Sequence, residues 1–395
     1  MKNLTSLIFA IFLYSSSLAQ TDLSETFSEL YDYKRFDQII NYTPKVGEVL
    51  SAKAYYFIAM SYYYKEDNAT TIIYMDSAIS KGPVDNNMYY YKGMALSSMG
   101  KYKESLTSLD QAIEKFADNP EYYAGKGTVF AKLDKPDSAL FYYEKAQNFT
   151  NCKAWIYSTT GDLYYDKNNF TKALDKYELA LSKSQKTSVD YTRILFNTGL
   201  MNKFLGNIEK ANEMFEELLL YPTNSYENIG RRIQAYYSLD QIDKAKPYID
   251  KLYEGYRKNN LPDYMDNVFC FDQFLWNGKK VLALESFEDP AAPIYVKHQF
   301  WIMNDKGSYD YRVVTETGEV VKSLKENAKY VLTLVKPKTI SHYSQFVFSE
   351  NYNYNDLKQT VIDILNNKFK PTFITPQTPP TQNKPKMKHT TPVKK

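Results

Sequence analysis

Apolar and aromatic positions recur along the first two thirds of the chain with a period of 34 residues, interrupted once by four extra residues within 182–190. Repeats numbered from their first residue start at Ala52, Asn86, Pro120, Ala154, Thr192 and Tyr226. Large residues at positions 4 and 11 lie on one face of a first helix, A, and positions 20, 24 and 27 form one stripe of a second helix, B. The pattern predicts six helix pairs over residues 52–259, stacked as a repeat array.

The second signal is a ladder of small residues at position 8 of helix A and position 20 of helix B. Its members are Ala59, Gly93, Gly127, Gly161 and Gly199 in helix A, with Ala139, Ala173 and Ala211 in helix B. A glycine inside a helix costs about 1 kcal/mol relative to alanine, so its recurrence needs a physical reason. We expect these residues to let helices A and B approach closely, while the large residues fill the spaces between neighbours.

This alternation of aromatic, small and alanine positions resembles the tetratricopeptide repeat family over about residues 52–259. Residues 86–187 agree best, whereas Asn202 replaces an aromatic residue in the fifth repeat and Ile233 replaces a small one in the sixth. The resemblance implies an all-α solenoid of helix-turn-helix repeats that serves as an interaction surface. Residues 20–51 are predicted to form N-terminal capping helices.

The resemblance also implies a partner-binding groove, because helix A positions 2, 5, 9, 12 and 13 line the concave face in this family. We call these the groove positions; in the fifth repeat they include Lys203. The candidate groove residues are Tyr56, Met60, Tyr63, Tyr90, Met94, Trp155, Tyr165, Arg193 and Phe196. Aromatic and methionine side chains favour adaptable binding of a protein or peptide segment. Packing between repeats is the competing interpretation for each tyrosine.

Beyond the array, the pattern changes from helical spacing to alternation. Residues 260–278 are predicted to form a capping helix or linker. Strands are predicted at 280–287, 294–303, 309–316, 329–336 and 342–348, followed by a helix at 356–366. The fold class is therefore an all-α solenoid followed by a small α+β module, residues 279–369, with an antiparallel sheet covered by a helix.

Both ends of the sequence carry signals of their own. Residues 1–19 resemble a secretory signal, with a basic start, an apolar stretch and a small-x-small cleavage site at Ser17-Leu18-Ala19. We therefore expect an exported protein, periplasmic or secreted, that is soluble after cleavage. Residues 370–395 contain six Lys, six Pro and no acidic residue, which favours a disordered basic segment. That segment either makes a weak contact with an anionic surface or has no specific role.

The sequence contains no phosphate-binding loop, no C-x-x-C and no H-E-x-x-H motif. A metal held by His298 and His342 with Glu285 or Glu350 lacks the support of any ligand spacing. We expect no cofactor and no catalysis. Without residues 370–395 the net charge of +3 becomes −3, which argues against a nucleic-acid surface.

Two functions remain open at this point. The first is a non-enzymatic adaptor in the cell envelope that binds a protein or peptide segment in the groove. The alternative is a ligand-binding or enzymatic accessory function seated in the β module. Cys152 and Cys270 are expected to be free thiols, because the array would hold them far apart.

Overall fold

The computed structural model describes residues 21–42, 48–82, 87–188, 190–222, 225–261, 268–287, 296–303, 309–317, 330–335, 345–347, 354–366 and 368. The predicted signal at 1–19 and the basic segment at 370–395 lie outside these residues. The chain divides into two compact units: unit 1 comprises Met1–Tyr165 and Lys172–Asp190, and unit 2 comprises Asp166–Thr171 and Tyr191–Lys395. No helix in the described ranges is both long enough and apolar enough to cross a bilayer.

The described part of unit 1 starts with two helices and a short parallel pairing of two-residue strands. The helices are α1 (Ser24–Asp32) and α2 (Phe36–Ile40), and the strands are β1 (Thr21–Asp22) and β2 (Glu48–Val49). Leu23, Phe27 and Ile39 are each 1% exposed and pack against Ala54 and the rest of the first repeat. This region therefore closes the N-terminal end of the helical core of unit 1.

Four helix pairs follow, in the phase that the sequence predicts. They are α3 (Ala52–Tyr64) with α4 (Asn68–Ser80), α5 (Asn87–Ser98) with α6 (Tyr102–Lys115), α7 (Pro120–Lys132) with α8 (Pro136–Gln147), and α9 (Ala154–Asp166) with α10 (Phe170–Lys183). Side chains cap several of these helices: Ser51, Asp67 and Asn119 each accept a hydrogen bond from a backbone N–H of the first turn.

Every repeat turns from helix A to helix B through a left-handed residue at position 15. These residues are Glu66, Gly100, Asp134, Asn168, Gly206 and Asp240, with φ between 54° and 81°. A left-handed residue after the last helical turn satisfies carbonyl groups that would otherwise lack a partner. The same left-handed backbone conformation at position 15 therefore recurs at the A-to-B turn of all six repeats.

Unit 2 contains two further helix pairs and a sheet. The helices are α11 (Tyr191–Phe204), α12 (Ile208–Leu220), α13 (Tyr226–Ser238) and α14 (Ile242–Arg257). The strands are β3 (Val268–Trp276), β4 (Lys279–Phe287), β5 (Val296–Met303), β6 (Tyr309–Thr317), β7 (Tyr330–Val335) and β8 (Gln345–Val347), and the last helix is α15 (Tyr354–Leu365). Sequential strands pair antiparallel in the order β3-β4-β5-β6-β7-β8.

The prediction of a capping helix or linker at 260–278 is wrong over residues 268–276, because these form strand β3. The reason lies in a register shift between Cys270 and Asp272, which interrupts the strand's alternation. In this strand the apolar residues Phe271, Phe274 and Leu275 stand three and four residues apart, which is the spacing of a helix face. The sheet therefore begins before residue 279.

The sheet and the sixth repeat share one hydrophobic core. Ile233, Ala245 and Leu252 from α13 and α14 are fully buried in the same cluster as Phe271 and Phe300 of the sheet. The remaining buried members are Ile229, Phe269, Phe274, Val281, Ala283, Ile302 and Val361. The buried side chains that the structure describes in β3, β4 and β5 therefore pack in the same core as the sixth repeat.

Candidate interaction surface

The small residues at positions 8 and 20 lie where helices A and B of one repeat approach most closely. A Cβ built on the glycine at position 8 would lie 2.8–3.0 Å from the side chain at position 24. The four pairs are Gly93 with Leu109, Gly127 with Tyr143, Gly161 with Tyr177, and Gly199 with Phe215. The alanines of the ladder (Ala59, Ala139, Ala173 and Ala211) are at most 1% exposed. These residues serve packing within each repeat.

In the third and fourth repeats, the side chain at position 24 passes over the glycine and reaches position 9 of helix A. The hydroxyl groups of Tyr143 and Thr128 lie 2.8 Å apart, and the Tyr177 hydroxyl donates to Asp162 Oδ1 at 2.6 Å. Position 9 is a groove position, so helix B already supplies hydrogen bonds to that face from within the repeat.

Two of the predicted groove residues are buried and cannot contact a partner. Met60 has no exposed surface and packs with Met75 and Met88. Phe196 is 5% exposed, and its ring lies 5.9 Å from that of Phe215. Large apolar side chains at these positions fill the space between neighbouring helices, so neither residue belongs to the accessible surface.

Tyr90 and Met94 are half-buried because the next repeat lies close to them. A Cβ built on Gly125 of α7 would lie 3.1 Å from Tyr90 Cε2 and 3.4 Å from Met94 Sδ. Burial raises the pKa of Tyr90 well above its ordinary value, and the nearby Glu121 adds to this effect. These two side chains serve packing between repeats, and part of each remains accessible to solvent.

A continuous chain of aromatic rings runs through unit 1, and we call it the aromatic ladder. Its members, in order of contact, are Phe36, Tyr64, Tyr63, Tyr91, Tyr90 and Tyr122. Successive ring centroids are 5.0, 6.0, 5.2, 5.1 and 5.5 Å apart. Ring pairs at such distances attract each other beyond the effect of their buried area. The ladder therefore links the N-terminal helices to the third repeat.

Exposure varies strongly along the aromatic ladder. Tyr64 is 52% exposed, whereas Tyr122 is 1% exposed and donates a hydrogen bond to Asn87 Oδ1. Tyr63 is half-buried, and burial raises its pKa. The accessible part of the ladder is thus its N-terminal end, where the Tyr64 ring stacks on Phe36 at an interplanar angle of 9°.

The other predicted groove residues do not belong to the aromatic ladder. Tyr56 is half-buried on α3, with its ring 5.7 Å from that of Phe57. Trp155 and Tyr165 are half-buried on α9. Arg193 is half-buried on α11 and belongs to unit 2.

In unit 2, the chain itself covers the groove positions. Gln273 of β3 donates a side-chain hydrogen bond to Gln234 Oε1 at 2.8 Å, and the ring of Phe271 lies 5.0 Å from that of Tyr237. Gln234 and Tyr237 are positions 9 and 12 of the sixth repeat. Strand β3 therefore lies against the face that the sequence assigns to a partner.

The centre of this contact is a buried carboxylate. Asp272 is 1% exposed; its Oδ1 lies 2.8 Å from Lys203 Nζ and its Oδ2 lies 2.9 Å from Lys358 Nζ. The Tyr354 hydroxyl donates to Oδ2 at 2.6 Å, and the Gln273 backbone N–H donates to Oδ1 at 2.8 Å. We call these residues the Asp272 cluster.

The charges of the Asp272 cluster depend on one another. Burial raises the pKa of Asp272, but the two lysines more than offset this effect, so its pKa lies below the ordinary value. Burial lowers the pKa of Lys203 even though Asp272 opposes the change, and burial raises the pKa of Tyr354. Every oxygen of the carboxylate has partners within the protein, so the cluster is a structural contact.

Sequence reasoning did not single out Asp272, Tyr354 or Lys358. Lys203 is 69 residues from Asp272 in the sequence, and Lys358 is 86 residues away. One signal was present, because Asp272 is the single charged residue in the run Val268–Trp276. A charge inside such a run requires a buried partner or a solvent-facing edge, but the run alone does not identify that partner.

The described residues contain no group of three or more His, Cys, Asp and Glu that could hold a metal. The strand register places Glu285 opposite His298, while His342, Glu350 and His389 lie outside the described residues. Cys152 and Cys270 are both free thiols.

Comparison with known proteins identifies two family models. Residues 129–239 match a family described as an uncharacterized protein conserved in bacteria (DUF2225), and residues 87–114 match a tetratricopeptide repeat model. The TPR repeat-containing protein MJ1428 of Methanocaldococcus jannaschii is 30% identical over 109 residues, which are 26% of this chain and 19% of that protein. The resemblance to tetratricopeptide repeats is thereby confirmed.

Other similarities cover part of the chain as well. The TPR repeat protein oca3 of Schizosaccharomyces pombe is 26% identical over 137 residues, which are 34% of this chain and 44% of that protein. The chain spans between 16% and 44% of the length of the curated relatives it matches. Among solved structures, the type IV pilus biogenesis factor PilW has a TM-score of 0.42 at 13% identity, covering 52% of this chain and 93% of its own.

Proposed function

We propose that this chain, which carries tetratricopeptide-type repeats, is a non-enzymatic scaffold that binds a protein or peptide segment on the groove face of unit 1. Arrays of this kind are interaction surfaces, because each repeat adds to one extended face. The proposal concerns the face of α3, α5, α7 and α9, with the accessible end of the aromatic ladder at its N-terminal side.

The observation that carries the proposal is the contact of β3 with the groove positions of unit 2. There, an extended segment of this same chain is held by Lys203, Gln234 and Tyr237 through an ion pair, a side-chain hydrogen bond and a ring contact. The groove positions of these repeats thus have the chemistry to bind an extended segment. The corresponding positions of unit 1 have the same helical framework but other side chains. Position 12 is Tyr63 in the first repeat and Tyr165 in the fourth, and position 9 is Met60, Met94, Thr128 and Asp162.

The exposed Tyr64 is the residue on which we base binding in unit 1. Aromatic residues carry much of the energy of protein interfaces, since they bury a large area at a small entropic cost. Tyr64 is 52% exposed yet held in place by Phe36 and Tyr31, whose ring centroids are 5.0 and 6.0 Å away. A ring held in this way loses little freedom when a partner covers it.

We further propose that the protein acts in the cell envelope after export. The support is the sequence of residues 1–19, with its apolar stretch and cleavage site. N-terminal sequencing of the mature protein tests this proposal. We expect the mature chain to start at Gln20, and an N-terminus at Met1 would contradict it.

The binding proposal is tested by replacing Tyr64 with a photo-crosslinking amino acid in the full chain, expressed in its native cells. Phe141 is the matched control position, because it is an aromatic residue in unit 1, 60% exposed and outside the ladder. We expect a discrete crosslinked partner from position 64 that position 141 does not give. The purified partner should then bind the chain, and Tyr64→Ala should weaken that binding about tenfold, the loss of one well-placed aromatic contact.

Two results would contradict the proposal. One is the same set of adducts from positions 64 and 141, which would indicate random collision. The other is a purified partner whose affinity is unchanged by Tyr64→Ala.

A further inference from the structure

We infer that residues 370–395 of one chain are a ligand of the aromatic ladder of a second copy, which binds them as a proline-rich extended segment. This inference rests on the proposed function, because it names the chemical class of segment that the same surface takes. It concerns the described part of unit 1 and the sequence of 370–395.

The sequence of this segment favours one conformation. It contains Pro376-Gln377-Thr378-Pro379-Pro380, a P-x-x-P pattern followed by a further proline. Prolines fix φ near −65° and favour the polyproline II helix, which has three residues per turn and no internal hydrogen bonds. Such a segment loses little conformational entropy on binding, so a shallow surface can hold it.

The aromatic ladder has the chemistry that recognises such a segment. Proline-rich segments dock in grooves lined by aromatic side chains, where the pyrrolidine rings pack on the flat faces of the aromatic rings. One turn of polyproline II advances about 9 Å. Ring centroids along Phe36, Tyr64 and Tyr63 are separated by 5.0 and 6.0 Å. We expect Pro376 and Pro379 to pack against the part of these rings that remains accessible.

Charge favours the same pairing. The segment 370–395 has six lysines and no acidic residue. Residues 21–100, which supply five of the six ladder rings, contain ten acidic and seven basic side chains and so carry a net charge of −3. Opposite net charges speed the encounter of two partners and make their association sensitive to salt.

The experiment uses a fluorescent peptide of residues 370–395 and the full chain carrying Pro376→Ala/Pro379→Ala/Pro380→Ala, so that its own segment does not compete. We expect saturable binding, and we expect the unsubstituted full chain to bind less of the peptide. Tyr64→Ala in the receptor should weaken binding about tenfold, whereas Tyr64→Phe and the control Phe141→Ala should change it less than about twofold. Circular dichroism checks that each variant is folded.

A second peptide with the same three proline substitutions separates ring recognition from simple charge attraction. We expect it to bind about tenfold more weakly, a change of about 1.4 kcal/mol. The inference is overturned if this peptide binds as tightly as the natural one, if Tyr64→Ala has no effect, or if no saturable binding occurs. If the peptide fails while the crosslink from position 64 persists, the inference falls and the proposed function stands.

Discussion

The ring of Tyr177 in α10 lies directly over Gly161 in α9, so close that a Cβ on the glycine would be 2.8 Å from Tyr177 Cε1. Beyond the glycine, the Tyr177 hydroxyl donates to Asp162 Oδ1. The absence of a side chain at position 161 therefore sets both how closely the two helices pack and where the tyrosine hydroxyl ends.

Gly161→Ala should destabilise unit 1 in spite of the better helix propensity of alanine. Propensity would contribute about 1 kcal/mol in favour of alanine, whereas overpacking a filled contact costs about 1–3 kcal/mol. We expect a net loss of about 1 kcal/mol, measured by urea unfolding. The control is Gly230→Ala on α13, where a Cβ would meet nothing within 4 Å. It should stabilise, and an equal gain from Gly161→Ala would contradict the argument.

The repeat array could be predicted from the sequence because its packing requirement repeats. The glycine at position 8 and the large residue at position 24 recur with the same period. The pattern therefore predicts the same contact for Gly127 with Tyr143 as for Gly161 with Tyr177. A second recurring contact was missed: lysines 81, 115 and 183 lie 5.4–5.8 Å from the ring centroids of the tyrosines at position 4 of their own repeats. It was detectable, since these lysines share position 30.

The contact of β3 with the repeats could not be predicted in this way. It depends on the ion pairs of Asp272 with Lys203 and Lys358. These residues lie on elements far apart in the sequence, and neither ion pair recurs from repeat to repeat. Met60 and Tyr64 both occupy groove positions of α3, but Met60 is fully buried and Tyr64 is 52% exposed. The sequence pattern does not predict this difference in burial. Periodicity identifies the face of a helix, but only the neighbouring side chains decide which of its residues remain exposed.

Ser97 and Ser105 offer a matched test of what a buried hydroxyl contributes. Ser97 is 1% exposed, and its hydroxyl has no hydrogen-bond partner within the described residues. Ser105 is fully buried and donates to the Gly93 carbonyl at 2.6 Å. We expect Ser97→Ala to stabilise the protein by up to about 1 kcal/mol, since it removes a desolvated and unpaired group.

Ser105→Ala should have the opposite effect, with a loss of about 1 kcal/mol, because the Gly93 carbonyl loses its side-chain donor. Thermal unfolding of both variants, in the same buffer as the parent chain, provides the comparison. Equal changes of the same sign in the two variants would show that hydrogen bonding does not govern these sites.

Asp272→Asn should strongly destabilise unit 2. The substitution leaves Lys203 and Lys358 without their buried counter-ion, and breaking a buried ion pair in this way costs about 3–5 kcal/mol. Unfolding can be followed by the fluorescence of Trp276 and Trp301, which lie in the sheet. A variant within about 1 kcal/mol of the parent would mean that solvent screens the cluster.

The same variant tests the pH dependence of stability. The pKa of Asp272 in the folded chain lies below its ordinary value of 3.8, so the unfolded chain takes up a proton first as the pH falls. The stabilisation is thus complete above pH 3.8 and is lost as the pH falls through the folded-state pKa. We expect the free energy of unfolding of the parent to fall more steeply than that of Asp272→Asn as the pH is lowered below 3.8. Parallel curves would contradict this assignment.

The two thiols should report separately on the two units. Burial raises the pKa of Cys270 far above its ordinary value, and its S–H donates to the Asp272 carbonyl at 3.3 Å. Burial also raises the pKa of Cys152, which is 4% exposed in unit 1. Since the thiolate is the reactive form, we expect iodoacetamide to label neither residue at a measurable rate in the folded parent at pH 8.

Asp272→Asn should change this pattern at Cys270 alone. If labelling requires opening of unit 2, a loss of about 3 kcal/mol raises the population of the open form, and therefore the labelling rate, about 100-fold. Mass spectrometry of the peptides that contain Cys270 and Cys152 measures both rates in one sample, with Cys152 as the internal control. Equal acceleration at both cysteines would show that the substitution loosens the whole chain, and no acceleration at Cys270 would show that Asp272 does not hold β3 against the repeats.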